Sequence, residues 1–349
     1  MRTSHFTIPR LLLAAALLSI GLAACSSGDA GPSVRVDAGP IALRRLTAEQ
    51  FERSIHDVLG DHIIVPSRID PDDRREGLLA VGSSFAGVTP SGLEKYEAAA
   101  AAVAEQALGA EHRAAVVPCQ PASETSGDVD CAAAFVERIG RLLFRRSLTG
   151  EESAARIAIA NDAADTLGDF YGGLELALTS LLISPDFLFR VEVAEPDPED
   201  SSRMRLTSVS MAARLSYLLW NTTPDDELLS AAENGDLVNR VLLGEQVERM
   251  LASPKLETGI RALFADLYDF KQFDDGLVRK DAALFPAYTQ TLVEEAKEQT
   301  LRTIVAHLIA GKDYRDLFTT SESFLTRRLG VVYRVPVPTP DGWEPYAFD

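Results

Sequence analysis

The chain has 349 residues, 46 % of them hydrophobic, and a formal net charge of −18. That length is enough for two or three domains with a sizeable core. A surface this acidic repels phosphate backbones and anionic lipid, which excludes nucleic acid as a partner and leaves any membrane attachment to hydrophobic groups.

At the N-terminus, Arg2 and Arg10 precede an apolar run from Leu11 to Leu22 that ends in Leu22-Ala23-Ala24-Cys25. Positive flank, short apolar core, small residues and then Cys form the pattern of a bacterial secretory signal closed by a lipobox. Residues 1–24 are read as a lipoprotein signal, too short to span a bilayer comfortably. The chain is then exported, cut before Cys25, acylated there and held on a membrane by lipid, each buried methylene contributing about 0.8 kcal/mol. An ordinary signal peptide, or a membrane anchor that carries a cysteine, is the alternative. Removing the signal takes two arginines and no acid, so the mature charge is near −20. Ser26 stands where Asp commonly retains lipoproteins at the inner membrane, so the expected destination is the outer membrane. Residues 25–40 are small, polar and Pro/Gly-punctuated, a flexible tether about 20 Å long.

Order is expected from Leu43. Thr47 and Gln50 form a capping-box pattern, opening a helix that buries Phe51, Ile55 and Leu59 and stops at Gly60. Residues 61–92 are rich in Pro, Gly and Asp and read as a long irregular loop. A second helix over 91–108 places Tyr96, Ala100, Val103 and Ala107 on one face, completing a first domain over 41–115. Cys119 and Cys131 enclose a polar, turn-rich loop. In an exported chain an even pair reads as a disulfide, contributing about 3 kcal/mol in the chain-entropy model. A metal site or free thiols are the rivals, without CxxC or CxxCH spacing to support them. Phe135, Ile139, Leu142 and Leu143 then define an amphipathic helix, Thr149 and Glu152 a second capping box, and Leu174 to Leu182 another apolar stripe. Ser184-Pro185-Asp186 reads as the start of a further helix. This second domain spans 116–195.

The acidic break from Glu195 to Arg203 leads into a third domain over 203–333. Its expected helices carry Met211, Leu215, Leu218 and Leu219; start at Thr223-Pro224-Asp225-Asp226; start at Ser253-Pro254 with Ile260, Leu263, Phe264 and Leu267 inward; run near 286–310; and start at Thr320 or Ser321, ending at Gly330. Residues 334–349 read as an extended Pro-rich tail. No segment alternates with period two, so the expected fold is all-α, built of successive bundle-like units.

Candidate sites are sparse. His307 follows Glu294, Glu295 and Glu298 on one helix, but nine positions separate Glu298 from His307, and a solvated acidic face is the simpler account of a would-be metal set. His56 and Asp57 are adjacent, so they diverge on a helix; His62 suits the negative end of one. The clusters Asp70-Pro71-Asp72-Asp73 and Asp225-Asp226-Glu227 lack the alternating ligands and glycine of a calcium loop. Tyr217, Trp220 and Asn221 gather at a helix end, where packing competes with a ligand pocket. No GxSxG, HExxH, P-loop or GxGxxG occurs, and no cofactor is expected.

Several phrases carry a resemblance: Leu43 to Thr47 with Asp57 to Gly60; Phe144-Arg145-Arg146-Ser147-Leu148-Thr149; Leu182 to Arg190; Arg214 to Asn221 with Pro224 to Leu229; and Phe324 to Leu329. They resemble the first three domains of a family of secreted planctomycete and myxobacterial proteins of unknown function, a helical domain family in which some members sit beside cytochrome-c-like domains. The resemblance covers about 43–330. It departs at Ser147, where Pro is expected. Family members usually continue into two further domains, so the end at Asp349 reads as a truncated or split product. Together these readings point to a lipid-anchored envelope protein that binds or scaffolds an unidentified, cytochrome-associated envelope partner. The alternative is an enzyme or redox accessory whose site needs further C-terminal domains, and a decayed fragment without function is a third.

Overall fold

The structure is a computed structural model that describes residues 43–349 except 67, 68, 199, 201, 277, 278 and 282. Cys25 and the tether lie outside the described residues. Ile41–Asp349 forms one compact unit.

Fourteen α-helices dominate the described residues, and their starts obey local chemistry. In α1 (Ala48–Leu59) the Thr47 hydroxyl accepts from Gln50 N–H while the Gln50 side chain accepts from Thr47 N–H, and the helix stops at Gly60. After one-turn α2 (Leu79–Gly82), α3 (Pro90–Leu108) is capped by Thr89 with proline in its first turn, where no N–H is needed. Short α4 (Arg113–Val116) precedes Cys119, which lies at disulfide distance from Cys131 in α5 (Val129–Phe144), sulfur to sulfur 2.07 Å. Helices α6 (Gly150–Leu167) and α7 (Phe170–Leu182) form a hairpin through Gly168, left-handed at φ 66°. They pack closely enough that a Cβ on Gly173 would lie 2.2 Å from the Ala160 carbonyl oxygen. Phe51, Tyr96 and Phe187 meet at the centre of this first core, ring centroids 5.4 Å apart around Phe51.

The helix expected at Ser184-Pro185 is a single turn, α8 (Pro185–Leu188). It ends because β2 (Phe189–Val191) pairs antiparallel with β1 (Leu43–Arg45). The acidic break is likewise the turn of a hairpin between β3 (Ala194–Pro196) and β4 (Met204–Leu206). Strands of three residues are too short to print a period-two pattern.

The third part holds α9 (Ser208–Leu219), α10 (Asp226–Glu233), α11 (Arg240–Leu251), α12 (Leu256–Leu267) and α13 (Gln290–Ile309). Leu218, Leu263 and Leu267 face solvent; Ala212, Ser216 and Tyr217 line the buried stripe of α9 instead. The cap of α10 is Asp225, two residues after the expected Thr223. Helix α11 has one buried residue, Met250, so its sequence carries little apolar periodicity. Residues after Thr320 form β5 (Glu322–Leu325), and Thr326 caps α14 (Arg327–Tyr333). The terminal stretch is not an extended tail. It folds back as β6 (Glu344–Ala347) against β5, and Trp343, Tyr346 and Phe348 pack on Leu325, Leu329 and Val337. No described helix is long and apolar enough to cross a membrane.

Candidate functional site

Two places concentrate the polar chemistry of the fold. The first is a buried junction around Tyr217. Arg145, left-handed at φ 59° and 3 % exposed, ends α5 and aims its guanidinium inward. It donates to the carbonyls of Asp186, Phe187 (3.2 Å) and Phe189 (2.7 Å) and to the Tyr217 hydroxyl (3.3 Å). Ser54 spends its proton on the Gln50 carbonyl at 2.7 Å, so Tyr217 is the donor in their 3.0 Å bond. The Gln50 amide caps Thr47 with its oxygen and donates to Asn221 Oδ1 at 2.9 Å. Asn221 sits at φ 57°, a conformation its short polar side chain tolerates. Trp220 is buried beside it, its indole N–H donating to the Met250 carbonyl at 3.1 Å. Tyr217, Trp220 and Asn221 are thus drawn into packing and hydrogen bonds. Trp220 borders a cavity of about 100 Å³, with Asp57, Lys255 and Thr258.

Around the junction the acids are engaged. Arg146 pairs with Glu152 and Asp186, both at 2.8 Å. The Arg146 hydrogen bond holds the Glu152 carboxyl down to about 2, from an ordinary 4.5. A carboxyl lowered on folding stabilises above its unfolded value and loses that contribution as pH falls from about 4.5 towards 2. The full shift corresponds to about 3 kcal/mol, reduced by partial exposure to roughly 1–2 kcal/mol. Urea midpoints of wild type and Glu152→Gln should therefore differ at pH 6 and draw together as pH falls to about 2 and below; a gap independent of pH would disprove the assignment.

Asp72 accepts from Ala48 N–H at 3.1 Å and faces Arg45 at 3.6 Å; Asp70 pairs with Lys95. Asp225 and Glu227 pair with Arg249, and Asp226 with Arg141. Glu295 holds Arg328, and Glu298 holds Arg261 and Arg302. His307 bonds the Asp313 carbonyl at 2.7 Å, His56 the Ile63 carbonyl at 2.9 Å, and His62 stacks on His112 with centroids 3.7 Å apart. Among the described residues no three His, Cys, Asp or Glu side chains converge as a metal site would require.

The second place is a groove between α13, the turn after it and the β5–β6 hairpin. It consists of two adjoining cavities of about 330 and 390 Å³ that share Thr303, Thr320, Glu322 and Ser323. Its floor is neutral and polar: Gln299 donates to Ser323 at 3.0 Å, Thr303 and Ser323 lie 3.2 Å apart, and the Tyr333 hydroxyl donates to Gln299 at 3.1 Å. Its walls carry rings that solvent reaches, Phe318 (70 % exposed) and Tyr333 (45 %). Nothing in the sequence marks this groove, because its residues are scattered from Tyr268 to Phe348.

Three segments of the chain match family models. Residues 44–109 match PSD3, a protein of unknown function (DUF1587); 131–192 match PSD5 (DUF1595); and 206–335 match PSD4 (DUF1592). The chain carries three domains of unknown function in tandem. No curated protein and no solved structure matches it. The buried junction is where all three meet: Gln50 and Ser54 come from PSD3, Arg145 and Asp186 from PSD5, Tyr217 and Asn221 from PSD4. Ser147 of PSD5 also reaches PSD4, its backbone N–H donating to Glu233 at 3.1 Å. Proline at that position could not make this bond. The groove belongs to PSD4 and the residues that follow it.

Proposed function

We propose that the chain is a lipid-anchored envelope protein that binds a ligand rather than transforms it, with the PSD4 groove as its binding site. The lipobox at Leu22–Cys25 supports the address. The observation that carries the binding reading is the groove's composition, exposed aromatic rings over a neutral floor of hydroxyls and an amide. Apolar walls with a few convergent polar groups are the usual make-up of a ligand site. A charged ligand would find no free counter-charge on that floor, and a purely apolar one would waste its hydroxyls. A neutral ligand with apolar faces and hydroxyl edges, such as a glycan strand, satisfies both. Of the reactive groups lining the groove, Glu322 is paired with Lys312 and His307 with a backbone carbonyl, so binding is preferred to the enzymatic alternative.

Two measurements test this. Cys25→Ala should move the protein from the membrane pellet to the soluble fraction, and mass spectrometry should find Cys25 acylated; an unprocessed N-terminus at Met1 in a membrane-free fraction would refute the anchor. Calorimetry of the full chain in detergent against cellotetraose, maltotetraose and chitotetraose should detect binding by at least one. Phe318→Ala or Tyr333→Ala should weaken it about tenfold each, the value of one ring contact. Silence with all three sugars would sink the glycan reading.

A further inference from the structure

We propose that Arg44 and Arg190 form a binding site for one anionic group, a carboxylate or a phosphate, supplied from outside the folded chain. In the β1–β2 ribbon Arg44 stands directly opposite Arg190. Opposed residues project from the same face with Cβ atoms about 5 Å apart, and like charges so placed repel. A third cation is near. The Arg190 and Arg145 guanidinium carbons lie 5.0 and 5.9 Å from the centroid of the Tyr217 ring. Arg145 is satisfied by backbone carbonyls, but Arg44 and Arg190 make no ion pair among the described residues, and the Nε atom of each is buried without a hydrogen-bond partner. The neighbouring acid makes no direct ion pair with either: Glu192 is 3 % exposed in its side chain and already held bidentately by Arg214, at 3.1 and 2.5 Å.

Carboxylate partners are plentiful in a chain with 52 acids and 34 lysines and arginines. Arg45, Arg74, Arg141, Arg146, Arg249 and Arg261 all have carboxylate partners. Burial, helped by the charges of Arg44 and Arg145 and opposed by Tyr217 and Glu192, pushes the Arg190 guanidinium down to about 10, so it stays charged at neutral pH without a direct ion-pair partner among the described residues. Two adjacent guanidinium forks match the oxygens of a carboxylate or phosphate. The acidic exterior repels an extended polyanion, which restricts the ligand to a small anion or a single acidic group.

Thermal unfolding of the full chain tests the site, with inorganic phosphate or acetate titrated at constant ionic strength. The expected result is a saturating rise in Tm of about 2–4 °C for wild type with at least one anion, lost in Arg44→Met and Arg190→Met. Without added anion both variants should be as stable as wild type or more so, because repulsion is relieved. General salt stabilisation would appear equally in all three proteins, and that result overturns the proposal. So does equal destabilisation of the variants with and without anion, which marks a structural role. Asp29→Asn/Asp37→Asn tests a source within the tether: if wild type responds only once those acids are removed, the anion is the chain's own and the external ligand is wrong.

Discussion

Replacing Arg145 by alanine is expected to destabilise the fold by about 3–5 kcal/mol, the range for breaking a buried charged network. The change strands the carbonyls of Asp186, Phe187 and Phe189 and removes the donor to the Tyr217 hydroxyl. Each buried acceptor left unpaired costs about 1–3 kcal/mol, so the loss exceeds any gain from no longer desolvating the guanidinium. Arg145→Gly separates backbone from side chain. Because φ is 59° there, glycine recovers about 1 kcal/mol relative to alanine. Arg145→Ala and Tyr217→Phe share a hydrogen bond, so their effects should be non-additive. Urea midpoints measure all of this. An Arg145→Ala shift below about 1 kcal/mol would show that the junction does not hold the three domains together.

Gly259→Ala is expected to cost about 1–2 kcal/mol net although alanine is the better helix former. A Cβ at Gly259 would lie 2.0 Å from the Leu219 carbonyl oxygen and 3.0 Å from Trp220 N. These are backbone atoms that cannot rotate away, so α12 must shift off the end of α9. Overpacking of this kind costs about 1–3 kcal/mol, against at most about 1 kcal/mol gained in helix propensity. Gly244 in α11 is the contrast: a Cβ there would meet nothing within 4 Å, so Gly244→Ala should stabilise by up to about 1 kcal/mol. Opposite signs in the two urea midpoints are the expected outcome; equal signs would contradict the close approach of α12 to α9.

The junction is half visible in the sequence. Tyr217, Trp220 and Asn221 stand out as a cluster, and Arg145 lies in a phrase that carries the family resemblance. What the cluster does is not visible there, because its partners Gln50 and Ser54 lie more than 160 positions upstream. The capping box identifies Gln50 as a capping residue, yet the same amide also reaches Asn221. The stripes on α9 and α12 are less legible: leucine spacing identifies the helices, but several of those leucines face solvent.

Sequence by itself determined the helix-dominated class, both capping boxes, the Cys119–Cys131 pairing and the tandem of three domains. The class and the capping boxes depend on interactions within a few residues and on local periodicity, the cysteine pairing on the expected export of the chain, and the tandem on breaks in composition and a family resemblance. Only the tertiary structure decided which face of each helix is buried, that the terminal stretch closes back on β5, that three domains share one buried polar junction, and that Arg44 meets Arg190. Those outcomes depend on which distant surfaces come together, and a hydrogen bond or a repulsion between residues so far apart in the chain leaves no periodic trace along it.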